Sequence, residues 1–170
     1  MTTATDILID GISRIREVSR RAGAGLTEEQ LTARLDPEAN TIAWLLWHLG
    51  RVQDAQVADV AGGTQVWLAE GWAQRFGLPF ASSETGYAQS ADEVASVRGV
   101  EADLLLGYID AVCDRTERYL SDLTDDDLAD IVDEGWDPPV TRAARLVSIL
   151  SDDLQHAGQA ALLRGHLLRR

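Results

Sequence analysis

Two hexapeptides nearly a hundred residues apart, Leu26-Thr27-Glu28-Glu29-Gln30-Leu31 and Leu123-Thr124-Asp125-Asp126-Asp127-Leu128, follow one pattern: leucine, threonine, an acidic first turn and a second leucine. Threonine at a helix N-cap accepts from an amide of the first turn, a residue three positions on can reach back to the cap, and the flanking leucines form a hydrophobic staple. Each copy therefore predicts a short capped helix lying between two longer ones. The order long helix, capped short helix, turn, long helix is read twice along the chain. Two such units predict an all-α fold, two helical hairpins packed as a four-helix bundle with short connecting helices. No β pattern competes.

The long helices are legible from apolar spacing. Leu8, Ile12, Ile15 and Val18 recur at helical intervals from Thr5 to Arg21, and the pattern stops at Gly23-Ala24-Gly25. After the turn Asp36-Pro37-Glu38-Ala39-Asn40, Asn40 or Thr41 caps a second long helix that runs to about Ala61 and ends at Gly62-Gly63. Its first half, Ile42 to Leu49, is apolar on every side, which marks the most buried helix of the fold. Thr64 to Phe76 reads as helix and Gly77 to Ser90 as a loop. A third long helix is expected from about Asp92 to Leu120. Asp133 to Pro139 is a turn, and Thr141 caps a fourth long helix to about Arg164.

At 170 residues, 45% hydrophobic and 25% charged, the chain is expected to form one domain over residues 1–170 with a sizeable core. A net charge of −13 disfavours nucleic acid, whose phosphates need a basic footprint, and an anionic membrane surface for the same reason. All 15 basic side chains other than histidine are arginines, so lysine Schiff bases and a P-loop lysine are excluded. The single cysteine, Cys113, excludes an intrachain disulfide and a Cys-rich zinc site, and sits in the third-helix pattern as a buried thiol. Met1 to Asp10 has no signal-peptide pattern and no apolar run reaches about 18 residues, so a cytoplasmic protein is expected.

Chemistry concentrates on the fourth helix. In Ser148-Ile149-Leu150-Ser151-Asp152-Asp153-Leu154-Gln155-His156-Ala157-Gly158-Gln159, residues four apart share a face, so Asp152 and His156 point the same way, with Ser148 a turn before and Gln159 a turn after. Such a pair is either a structural hydrogen bond or two metal ligands. His48, in the middle of the buried second helix, can meet it in a bundle. Two imidazoles and a carboxylate suit Zn, Ni or Fe and leave coordination positions open. Asp153 would replace Asp152 only if the helix face were rotated. His166, beside Arg164, Arg169 and Arg170, is expected in solvent. Of the tryptophans, Trp44 and Trp47 are assigned to the core. Trp67, Trp72 and Trp136 lie in or near connections where cleft walls are an option, with core packing the expectation for each. No nucleophile elbow or phosphate loop is present.

Several stretches resemble the DinB-like superfamily: Thr41-Ile42-Ala43-Trp44-Leu45-Leu46-Trp47-His48-Leu49-Gly50-Arg51-Val52, Gly71-Trp72-Ala73-Gln74-Arg75-Phe76-Gly77-Leu78-Pro79, Thr85-Gly86-Tyr87, and Asp152-Asp153-Leu154-Gln155-His156-Ala157-Gly158-Gln159. Their order is similar to that of the actinobacterial branch related to the N-terminal domain of mycothiol-dependent maleylpyruvate isomerase. The resemblance implies a four-helix bundle binding a divalent metal, zinc first among the candidates, through His48, Asp152 and His156. The first of the helix-four pair is commonly histidine in the superfamily, or glutamate in the mycothiol isomerase branch, so Asp152 is a shorter substitute. It also implies a low-molecular-weight thiol cofactor and a small-molecule electrophile, in a thiol-dependent S-transferase or isomerase. A metal ion near a thiol of pKa ~8.5 favours the nucleophilic thiolate. The alternative is a non-catalytic bundle with a degenerate or structural site, which could be a homodimer. The sequence ends at Arg170 without the second domain of the full isomerase, so that particular reaction is not expected.

Overall fold

The computed structural model describes residues 2–169, so Met1 and Arg170 lie outside the described residues. Eight α-helices follow in order: α1 (Ala4–Gly23), α2 (Glu28–Thr32), α3 (Ile42–Val60), α4 (Val66–Ala69), α5 (Trp72–Phe76), α6 (Ala91–Ala95), α7 (Ala102–Ser121) and α8 (Arg142–Leu167). The long helices α1, α3, α7 and α8 make the four-helix bundle expected from the sequence, and the starts of α3 and α8 follow the expected chemistry. Thr41 Oγ1 accepts from the Trp44 amide at 3.0 Å to cap α3, and Thr141 Oγ1 accepts from the Ala144 amide at 3.1 Å to cap α8. Thr27 and Gln30 form the full capping box of α2.

The helices are not arranged as two sequential hairpins. Around the bundle the order is α1, α8, α3, α7, so the consecutive long helices α1 and α3, and likewise α7 and α8, face one another across the diagonals. Helix α3 runs antiparallel to α8, since Val60 O accepts from Arg142 at one end while His48 meets His156 further along. It runs parallel to α7, with Gly50 against Tyr108 and Val60 O accepting from the Tyr119 hydroxyl. Parallel neighbours need a connection that travels back along the bundle, and residues 61–101 provide it. The antiparallel contact of α3 with α8 is what positions the candidate site.

Three further expectations are corrected. The single helix expected over Asp92 to Leu120 is split into α6 and α7, because Gly99 adopts φ +72°, a conformation that breaks the helix. The break is hidden in the apolar pattern because Val97 and Val100, which lie in it, are themselves buried. The stretch Thr64 to Phe76 is likewise two short helices, α4 and α5. The second capped hexapeptide makes its Thr124 to Asp127 bonds, but only a 3₁₀ turn follows, Asp127–Ala129. There the Asp127 carbonyl accepts from Arg142 Nε at 3.0 Å, and the chain enters a strand, β1 (Ile131–Asp133), paired antiparallel with β2 (Val140–Thr141). This hairpin is the β structure the sequence did not announce.

Ile42 to Arg51 are buried on every face of α3, as its composition requires. Trp67 and Trp72 are core residues, packed with Phe76 around Tyr108 at ring separations of 5.0–5.8 Å. Trp136 is not, being 68% exposed in the turn between β1 and β2. His166 is half-buried rather than solvated. No helix among the described residues is long and apolar enough to cross a membrane.

Candidate metal centre

The antiparallel packing of α3 on α8 brings His48 of the first helix to Asp152 and His156 of the second. One ligand atom from each lies within 4.8 Å of the other two, and among the described residues this is the one cluster of its kind. The His48 and His156 rings are 4.8 Å apart, edge to face. His156 Nε2 is 3.6 Å from Asp152 Oδ1. Two ligand atoms bound tetrahedrally to a common zinc ion at ~2.0–2.2 Å lie about 3.3–3.6 Å apart, so the shorter aspartate side chain already stands at a ligand-to-ligand spacing.

Each imidazole is oriented through the nitrogen that a metal would not use. His48 Nδ1 lies 2.6 Å from the Thr85 carbonyl, which can only accept, so the proton belongs on Nδ1 and Nε2 keeps its lone pair. His156 Nδ1 lies 3.1 Å from Gln159 Oε1, which directs Nε2 to the cluster in the same way. Metal-bound histidines are usually held by such a hydrogen bond from the second nitrogen. Trp44 stacks on His48, with ring centroids 4.4 Å apart and planes 13° from parallel, and its Nε1 donates to Gln89 Oε1 at 2.8 Å.

The electrostatics of the cluster follow from burial and from the contact between Asp152 and His156. Burial holds His48 below the usual imidazole range despite the Thr85 bond, keeping it neutral and able to coordinate. Contact with His156 lowers the Asp152 carboxyl, and contact with Asp152 raises His156. Asp152 Oδ2 is buried without a hydrogen-bond partner, so one carboxylate lone pair in the cluster is unmatched by any protein donor. An unmatched buried carboxylate oxygen beside two imidazole nitrogens fits a divalent cation. A cleft of about 320 Å³ opens beside His48 and Asp152, walled by Val52, Ala55, Gln56, Thr85 and Tyr87.

Asp153 points the other way, fully buried with both oxygens unpartnered, and is not part of the cluster. Ser148 is exposed and makes no bond to the site, whereas Gln159 does. The spacing argument missed Thr85, Gly86 and the stacking role of Trp44. Thr85 contributes a backbone carbonyl, which leaves no side-chain signature. Gly86, at φ +97°, is buried against the site, and a Cβ there would lie 2.6 Å from His48 Nδ1 and 3.0 Å from the Trp47 ring.

The sequence matches the DinB superfamily over residues 12–160. The chain belongs to the DinB superfamily. A solved structure, the crystal structure of the conserved protein of locus from Enterococcus faecalis, is similar to it with a TM-score of 0.92 and 28% identity, covering all of both chains. No curated protein matches. The bundle with its diagonal consecutive helices is therefore the DinB fold of this chain, and its candidate metal ligands come from α3 and α8.

Proposed function

We propose that this DinB protein binds a divalent metal, zinc foremost, through His48, Asp152 and His156, and uses it with a low-molecular-weight thiol in an S-transferase or isomerase reaction on a small electrophile. The observation that carries the metal reading is the unpartnered, buried Asp152 Oδ2 beside two imidazoles whose Nδ1 atoms are both occupied by acceptors. When bound, such an ion supplies Lewis acidity that lowers the pKa of a coordinated thiol.

The chain itself supplies position and environment. His48 is held in one tautomer by Thr85 and in one ring plane by Trp44, so its Nε2 is fixed before any ligand arrives. Asp152 would supply one negative charge against the two positive charges of a divalent ion, leaving one for a bound thiolate to offset. Val52 and Ala55 give the adjoining cleft an apolar wall that would exclude water from a reacting thiolate, and Thr85 and Tyr87 border it. No protein nucleophile is needed, which suits a chain whose one thiol is buried away from the cleft.

The test is the metal content of protein purified without chelator, compared with a His48→Ala, His156→Ala double variant. Stoichiometric metal in the wild type and none in the variant supports the site, and equal, near-zero metal in both overturns it. Consumption of a thiol in a panel of electrophiles then tests the transferase reading. Metal without turnover for any thiol would leave a structural site in a non-catalytic bundle.

A further inference from the structure

Arg51 lies one turn beyond His48 on α3 and is 0% exposed. A buried guanidinium costs several kcal/mol unless its N–H groups find acceptors, so where they go is informative. Its nearest carboxylate, Asp54, is at 3.7 Å, outside direct hydrogen-bond range. Instead Nε donates to Glu84 O at 3.1 Å and one terminal nitrogen to Ser82 O at 3.2 Å. The other terminal nitrogen reaches Gln65 Oε1 at 3.0 Å and the Tyr108 hydroxyl at 3.3 Å, and the group lies over the Trp67 ring at 4.7 Å.

Two of these acceptors are main-chain carbonyls in the stretch immediately before Thr85. Residues 77–90 form no regular element, so their backbone depends on anchors of this kind for its position. Arg51 holds the loop on one side of Thr85, and Trp44 holds it on the other through Gln89. Between the two anchors, the Thr85 carbonyl meets His48 Nδ1, and Gly86 fits against the same ring without room for a side chain.

We propose that Arg51 is a positioning residue for the metal centre: by fixing the carbonyls of Ser82 and Glu84 it aims the Thr85 carbonyl at His48 Nδ1 and so sets the tautomer that leaves Nε2 free. Lysine in its place, a point charge on a flexible stem, cannot span both carbonyls and the Gln65 amide. The inference rests on the metal reading for its consequence, while the tautomer stands independently of it.

Two variants test it from opposite sides: Arg51→Lys loosens the anchor, and Gly86→Ala pushes the loop off the ring. Thr116→Val, which removes the buried Gln53–Thr116 bond between α3 and α7, is the control for lost stability alone. Imidazole nitrogen NMR of the metal-free proteins reads the His48 tautomer, and chelator competition reads zinc affinity. Wild type and Thr116→Val should show His48 protonated on Nδ1. Arg51→Lys and Gly86→Ala should show mixed tautomers and zinc binding weakened about 10–100-fold. Folded variants that keep the Nδ1–H tautomer and wild-type affinity overturn the proposal; if Arg51→Lys does not fold, the uncharged Arg51→Gln replaces it, and Gly86→Ala reads whether the Thr85 contact sets the tautomer. Wild-type protein that binds no zinc removes the proposed function, and the tautomer measurement still decides the role of Arg51.

Discussion

Trp44 lies flat on His48, one turn away on the same helix, and the two rings are 13° from parallel. The indole thus forms the floor of the candidate metal centre while anchoring the neighbouring loop through Gln89. Trp44→Ala removes a buried side chain and the loop anchor together. It should cost about 3–5 kcal/mol in urea unfolding and weaken zinc binding, whereas Trp44→Phe, which keeps a ring over His48, should retain most of the affinity.

The Asp152–His156 pair gives the metal-free protein a defined pH response. Asp152 is lowered from its ordinary 3.8, so its contribution is present above that value and lost as pH falls through the folded pKa. His156 is raised from 6.5, so its contribution is complete below that value and lost as pH rises through the folded pKa. The two overlap between these limits, and burial lowers His48, which faces the pair, from the ordinary imidazole value. Thermal melts should therefore show Asp152→Ala destabilising the metal-free protein most near pH about 5 and little near pH about 8.5. Equal losses at both would remove the pair as the cause.

Zinc should reverse the trend with pH, because protons compete for the same imidazoles. At a free concentration near 100 times Kd, binding to the native state alone adds about 2.7 kcal/mol. Wild-type protein at neutral pH should gain that stability on zinc addition and lose it on chelation, and Asp152→Ala should gain far less.

Asp153 is fully buried with neither oxygen hydrogen-bonded, and burial together with the neighbouring Asp152 pushes its carboxyl well above the usual range. A raised carboxyl favours the fold at low pH, and that support fades as pH rises from the unfolded value towards the folded one. Asp153→Asn carries no such titration. Its melting temperature should exceed that of the wild type at pH about 8 and converge with it near pH about 4.

Cys113 is 0% exposed, and burial pushes its thiol up to about 12. The thiolate is the reactive form, so a thiol reagent at neutral pH should label Cys113 only at the rate of unfolding, with full labelling in denaturant. Rapid labelling of native protein would contradict its placement.

The bundle was legible in the sequence because its evidence is local: threonine caps at residues 27, 41 and 141, and apolar periods that a helix must obey. Part of the candidate cluster was legible for a related reason, since Asp152 and His156 declare a shared helix face by spacing. What stayed hidden depends on partners far along the chain. The break around Gly99 disappears into an apolar pattern because Val97 and Val100 are buried without being helical. The diagonal arrangement follows from which helix faces fit together, which periodicity does not rank. Thr85 acts through its main chain, and Arg51 resembles any helix arginine until its acceptors are seen.

The diagonal arrangement also orders events in time. His48 belongs to the first third of the chain and its two companions to the last helix, and no earlier segment supplies a substitute carboxylate–imidazole pair for it. While the ribosome is still adding α8, α3 has no polar stripe to face and the incomplete chain cannot take up an ion at this centre. Metal capture would therefore distinguish molecules that carry α8 from those truncated within or before it, and termination before residue 156 should yield protein that zinc does not protect.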